Sequence, residues 1–123
     1  MSKPISPRLH GVLDYATAAA TALMPLLGRA SRPAARTAEI WAASYAVLSA
    51  LTDYPMGLRR RVPFDAHGTI DKTLSAVLPA LPWIVGFARD RRARNFFLTL
   101  AAVTVVVTVL TDWDSEAPEQ TGW

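Results

Sequence analysis

The sequence predicts an all-α protein, a four-transmembrane-helix bundle made of two tandem two-helix repeats. Three observations lead there. Four long apolar runs fill the chain, its charges collect between them, and signature residues of the first half recur in the second.

The recurrence organises everything else. His10-Gly11-Val12-Leu13-Asp14 returns as His67-Gly68-Thr69-Ile70-Asp71, and Pro25 returns as Pro82 at the same offset. Leu51-Thr52-Asp53-Tyr54 returns as Leu110-Thr111-Asp112-Trp113 at an offset two residues longer. The drift falls in Arg-rich connections, where insertions are tolerated. Self-similarity of this kind marks one supersecondary unit used twice. One domain over residues 1–113 follows, with repeat one at 5–57 and repeat two at 62–113. An acidic tail at 114–123 carries Asp114, Glu116 and Glu119 and reads as disordered.

The runs are justified in chain order. The first, about Leu9 to Leu27, opens on Ser6-Pro7, a capping residue followed by a proline that suits a first helical turn. Asp14 inside it, and its counterpart later in the chain, argue against a signal peptide. The second runs from about Thr37 to Tyr54 after the breakers Gly28 and Pro33. The third, about His67 to Ala88, follows Pro55, Gly57 and Pro63, with Asp65 as its start signal. The fourth runs from about Phe96 to Trp113 behind Asn95. All four exceed typical strands, and three are rich in Ala and Leu. The fourth is β-branched, but in lipid an isolated strand leaves its backbone unsatisfied.

Lipid is preferred to water as the solvent because of where the charges sit. Thr73 to Ala88 and Phe96 to Thr111 contain no charged residue. At the helical rise each covers about 24 Å, short for a bilayer but tolerable with local thinning. A soluble bundle would show charges around each helix every turn or so. Here they cluster at the ends, as in Arg29, Arg32 and Arg36, in Arg59 to Arg61, and in Arg89, Arg91, Arg92 and Arg94. Such clusters resemble juxtamembrane anchors rather than one basic nucleic-acid face, so no nucleic-acid partner is expected. Four spans place both termini on one side, and the short-loop rule leans to that side being non-cytoplasmic. The expected surroundings are the lipid bilayer of a bacterial plasma membrane, with a homo-oligomer as a further partner.

Leu81-Pro82-Trp83-Ile84-Val85-Gly86-Phe87, with Met24-Pro25-Leu26-Leu27-Gly28 in the first copy, resembles the SPW-repeat family of small bacterial membrane proteins. That family is built from a two-helix repeat with a Ser-Pro-Trp motif in the first helix. Here serine is absent from both copies and tryptophan stands only in the second. The resemblance implies fold and location, and no activity.

The chain has no cysteine, which excludes disulfides, thiolate metal sites and cysteine nucleophiles. No catalytic signature is present, so an enzyme is not expected, and no cofactor is predicted. The polar residues nevertheless form a pattern. His10, Asp14, Asp53, His67, Asp71 and Asp112 all fall near one membrane face. His10 with Asp14, and His67 with Asp71, share a helix face at four-residue spacing. Tyr45, Ser49 and Asp53 form a line on the second helix, and Thr104, Thr108 and Asp112 form the matching line on the fourth. Three readings stand. The bland one is a set of polar contacts fixing helix register, in a structural or interaction protein. The second is an ion or proton pathway, since intramembrane ionisable groups suit that work. The third is a His/Asp metal site, a ligand mix that suits zinc, iron or manganese. Pro25, Pro79 and Pro82 are expected to kink the first and third helices, with Thr21 helping to satisfy the carbonyl freed by Pro25.

Overall fold

The computed structural model describes residues 3–114, and those residues are all-helical. Helix α1 spans Pro7–Gly28, α2 Arg32–Leu51, α3 Phe64–Val77 and α4 Arg91–Leu110. Between α3 and α4 lie a 3₁₀ turn, Leu78–Ala80, and a π-helical turn, Pro82–Gly86. Helix α1 packs along α2, and α3 along α4. The expected tail lies outside the described residues apart from Asp114.

Local chemistry explains most boundaries. Ser6 caps α1, its Oγ accepting the Leu9 N–H at 3.2 Å, with Pro7 in the first turn. Helix α1 runs through Pro25 and ends at Gly28, and Arg29 takes the left-handed conformation that closes it. Thr21 does not serve the carbonyl freed by Pro25, because its hydroxyl donates to Thr17 O at 2.7 Å. Helix α2 begins earlier than expected, at Arg32. Ser31 caps it and Pro33 stands in the first turn, where a missing N–H costs nothing.

Two other expected starts are corrected. Helix α3 is entered from Pro63, with Asp65 in its first turn rather than capping it. Helix α4 is capped by Asp90, not Asn95, since Asp90 Oδ1 accepts the Ala93 N–H at 3.2 Å. The third run is not one continuous helix. Pro79 and Pro82 remove backbone donors close together, and the chain changes pitch at both before turning at Gly86, whose φ is +101°.

The bundle has two unlike ends. Towards the Arg-rich turns the interior is apolar, with Met24, Ala38, Leu78, Phe87, Phe97 and Leu100 among its buried members. Asp90 also ties the two turns together there, because its Oδ2 accepts the Ser31 N–H at 2.8 Å. Towards the termini the interior is polar. Short parallel bridges close that end, Ile5 with Thr111 and Thr52 with Val62. Helices α1 and α4 are long and apolar enough to cross a membrane, and fewer than a third of their apolar windows are buried, at 22% and 28%.

Candidate functional site

Helices α1 and α3 bring matching side chains to the polar end. His10 and Asp14 stand one turn apart on α1, and His67 and Asp71 one turn apart on α3. All four are buried, and one ligand atom from each lies within 4.8 Å of the others. His10 Nε2 is 3.3 Å from Asp14 Oδ1 and 3.0 Å from Asp71 Oδ2. His67 Nε2 is 3.1 Å from Asp14 Oδ2 and 3.3 Å from Asp71 Oδ2. Each imidazole therefore faces both carboxylates, across the two hairpins.

The outer ring nitrogens fix the tautomers. Thr52 Oγ1 donates to Leu48 O at 2.6 Å, and Thr111 Oγ1 donates to Val107 O at 2.5 Å. A hydroxyl has one proton, so each threonine oxygen can only accept from the histidine beside it. His67 Nδ1–H donates to Thr52 Oγ1 at 2.7 Å, and His10 Nδ1–H donates to Thr111 Oγ1 at 2.8 Å. With Nδ1 carrying one proton, the 3.0 Å hydrogen bond from His10 Nε2 to Asp71 Oδ2 takes a second, and loss of that second proton turns an Nε2 lone pair inward. His67 Nε2 is buried and makes no aligned hydrogen bond despite the nearby carboxylates.

The carboxylates are held as well. Tyr54 Oη donates to Asp14 Oδ2 at 3.0 Å, and Tyr45 Oη donates to Asp71 Oδ1 at 2.5 Å. Burial and the neighbouring Asp14 carboxylate push the Tyr54 phenol up from its ordinary range, so it stays a donor. Two buried carboxylates with two neutral imidazoles carry a double negative charge. Two further protons, or one divalent cation, would neutralise it.

Aromatic rings close this end of the site. Trp113 and Phe64 pack at 4.7 Å with their planes tilted by 37°, and His10 meets the Trp113 ring edge at 4.8 Å. The two repeated glycines allow that approach. A Cβ on Gly11 would lie 2.6 Å from Met56 side-chain carbons, and one on Gly68 would lie 2.9 Å from the Trp113 ring. On the inner side a cavity of about 30 Å³, room for a water molecule, touches Asp14, Asp71, Tyr45 and Thr104.

Comparison with family models, curated proteins and solved structures yields no match. The site's own chemistry therefore carries the functional argument.

Of the six residues expected to group together, four do. Asp53 and Asp112 stand apart, half-buried, with their N–H groups donating to Val62 O and Ile5 O. The physical reason is that α2 ends at Leu51 and α4 at Leu110, so four-residue spacing no longer places the next aspartate on the inner face. Of the supporting residues, Tyr45 binds Asp71 directly, Ser49 and Thr108 are buried, and Thr104 donates to Leu100 O. Pro25, Pro79 and Pro82 lie on the same chain segments but outside the cluster. Thr52, Thr111, Tyr54, Gly11 and Gly68 also border the cluster, beyond the residues singled out from the sequence. All five sit inside the repeated His-Gly-x-x-Asp and Leu-Thr-Asp-aromatic motifs, which was the signal for them.

Proposed function

We propose that this chain is a four-span bacterial membrane protein of duplicated build that holds a divalent transition-metal ion between His10, Asp14, His67 and Asp71. The observation that carries the metal reading is the pair of Nδ1–H donors to Thr52 and Thr111. It leaves both Nε2 atoms directed at the point flanked by both carboxylates, where a metal would take the place of their inward protons. Metal-binding histidines are commonly held by such an outer hydrogen bond, which sets both tautomer and ring orientation. Tetrahedral zinc bonded at about 2.0–2.1 Å implies donor–donor separations of about 3.3–3.4 Å. Asp71 Oδ2 lies 3.0 and 3.3 Å from the two Nε2 atoms, close to that value, and Asp14 offers a different oxygen to each ring, so with one ligand atom per residue all four lie within 4.8 Å. The charge also balances, since one dication offsets two carboxylates. Two nitrogen and two oxygen donors suit zinc, iron(II) or manganese(II).

The lipid setting is supported by the outer surface. Leu26, Leu27 and Ile84 are exposed to 76%, 79% and 70%, and Ile40, Val47, Val106 and Val109 join them. In water so many outward aliphatic side chains would promote association. In a bilayer they face acyl chains, while the polar cluster is shielded in the interior. Helix α2 and the broken α3 segment are the less apolar spans of the four, and both contribute to the site. The SPW-repeat resemblance fits the same setting.

Metal analysis of purified full-length protein tests the metal reading. Near-stoichiometric zinc, iron or manganese is expected, and it is lost in the His10→Ala/His67→Ala double variant. Wild-type protein that stays metal-free after incubation with each of these ions would refute it. The same four side chains would then act as a buried salt-bridge knot between the hairpins, the structural reading.

A further inference from the structure

A groove of about 440 Å³ runs down the outside of the bundle between α3 and α4, separate from the metal cluster. Its rim carries Lys3 and Lys72, its floor carries Val105 and Val109, and Trp113 stands at the end nearest the termini. Both lysines are exposed, and among the described residues no acidic side chain lines the groove. Val105 and Val109 are exposed to 46% and 59%, on the same outward face of α4 one turn apart. Thr108 forms part of the wall, and its hydroxyl is buried without a hydrogen-bond partner.

From this arrangement we infer that the groove is a binding site for one anionic phospholipid. The phosphate is held between the ammonium groups of Lys3 and Lys72, and an acyl chain lies along Val105 and Val109. Charge complementarity selects the occupant: two cations, with no lining carboxylate among the described residues, at the mouth of an aliphatic channel match an anion joined to a hydrocarbon tail. The Lys72 stem, a little over two turns into α3, lies along apolar surface and carries its charge towards the headgroup level. The Trp113 indole, at the level where interfacial tryptophans gather, borders the glycerol region. Its Nε1–H already donates to Thr108 O at 2.9 Å, which holds the ring in the wall. A free phosphate would leave the aliphatic floor unused, and a neutral lipid would leave the two ammonium groups unanswered.

The inference rests on the membrane reading above, and the test keeps the two apart. Full-length protein is reconstituted into phosphatidylcholine vesicles with and without phosphatidylglycerol. It is then floated, re-extracted in mild detergent and analysed for retained lipid by native mass spectrometry. Flotation with phosphatidylcholine alone tests membrane insertion. Retained phosphatidylglycerol, enriched over its share of the vesicles, is the expected lipid result. The Lys3→Gln/Lys72→Gln variant should float equally and keep its metal content, while the enrichment falls about tenfold or more. An Arg59→Gln/Arg60→Gln variant, altered on the same face but outside the groove, should retain the enrichment. Equal retention by both variants and wild type, or displacement of the lipid by inorganic phosphate, would overturn the groove assignment and leave membrane insertion standing. Failure to float would overturn both.

Discussion

His10 and Thr111 stand near opposite ends of the described chain and are joined by a 2.8 Å hydrogen bond in the buried interior. The matching bond between His67 and Thr52, at 2.7 Å, spans a much shorter stretch of chain. Both threonines sit just past the last turn of a helix, with an extended backbone and the hydroxyl turned back to the helix carbonyls. That turn makes them acceptors, and therefore makes the histidines donors.

Replacing these threonines should weaken metal binding without removing a ligand. Thr52→Val and Thr111→Val are each expected to lower metal affinity by about 10- to 100-fold, while Thr→Ser at either position retains most of it. Competition with a chelator of known affinity measures the change. Unaltered affinity in both valine variants would detach the threonines from the site's chemistry.

The four acidic positions should divide cleanly. Asp14→Asn and Asp71→Asn each remove a charged oxygen donor and should abolish stoichiometric metal. Asp53→Asn and Asp112→Asn should leave the metal content unchanged, because their side chains are not part of the cluster. Metal content of the four purified variants decides this.

Gly68→Ala should destabilise the fold. The added methyl would meet the Trp113 ring at 2.9 Å, and that ring is held by its bond to Thr108 O and by packing on Phe64. Overpacking of this kind costs about 1–3 kcal/mol. Thermal unfolding in detergent should show a lower midpoint, and Gly68→Ala/Trp113→Ala should relieve the clash while losing the packing.

Asp90 offers a test of pH dependence away from the site. The Ser31 N–H, and then the Ala93 N–H, hold its carboxyl below the usual carboxylate range. A lowered folded value means the stabilisation is present above the ordinary range and is lost as pH falls through the folded value. Asp90→Ala should cost about 1 kcal/mol at neutral pH, a typical cap loss. The gap to wild type should narrow as pH falls below about 4. Unfolding midpoints of both proteins across that range check the sign.

What the sequence made legible was governed by helical periodicity. Within a helix, four-residue spacing is a reliable ruler, so His10 with Asp14 and His67 with Asp71 could be paired before any coordinates. The same ruler failed at Asp53 and Asp112, because it was carried past the last helical residue. Recurrence alone does not say which member of Leu-Thr-Asp-aromatic points inward, and the backbone change at Thr52 and Thr111 decides it. The third run looked continuous because its hydropathy is continuous, yet Pro79 and Pro82 govern the backbone more strongly than side-chain polarity does. The start of α4 was misplaced for a similar reason. Arg91, Arg92 and Arg94 look like a loop, but Asp90 caps the helix ahead of them, and the arginines form its first turns.

The four clustered side chains divide evenly between the hairpins, one histidine and one aspartate from each. If the proposed duplication is right, a lone ancestral hairpin carried only half of the coordinating set. Two such peptides had to meet about a shared axis to complete it, so the earliest version of this centre existed only as a homodimer. Tyr54 against Trp113, and Tyr45 against Thr104, are two positions at which the halves differ beside the cluster.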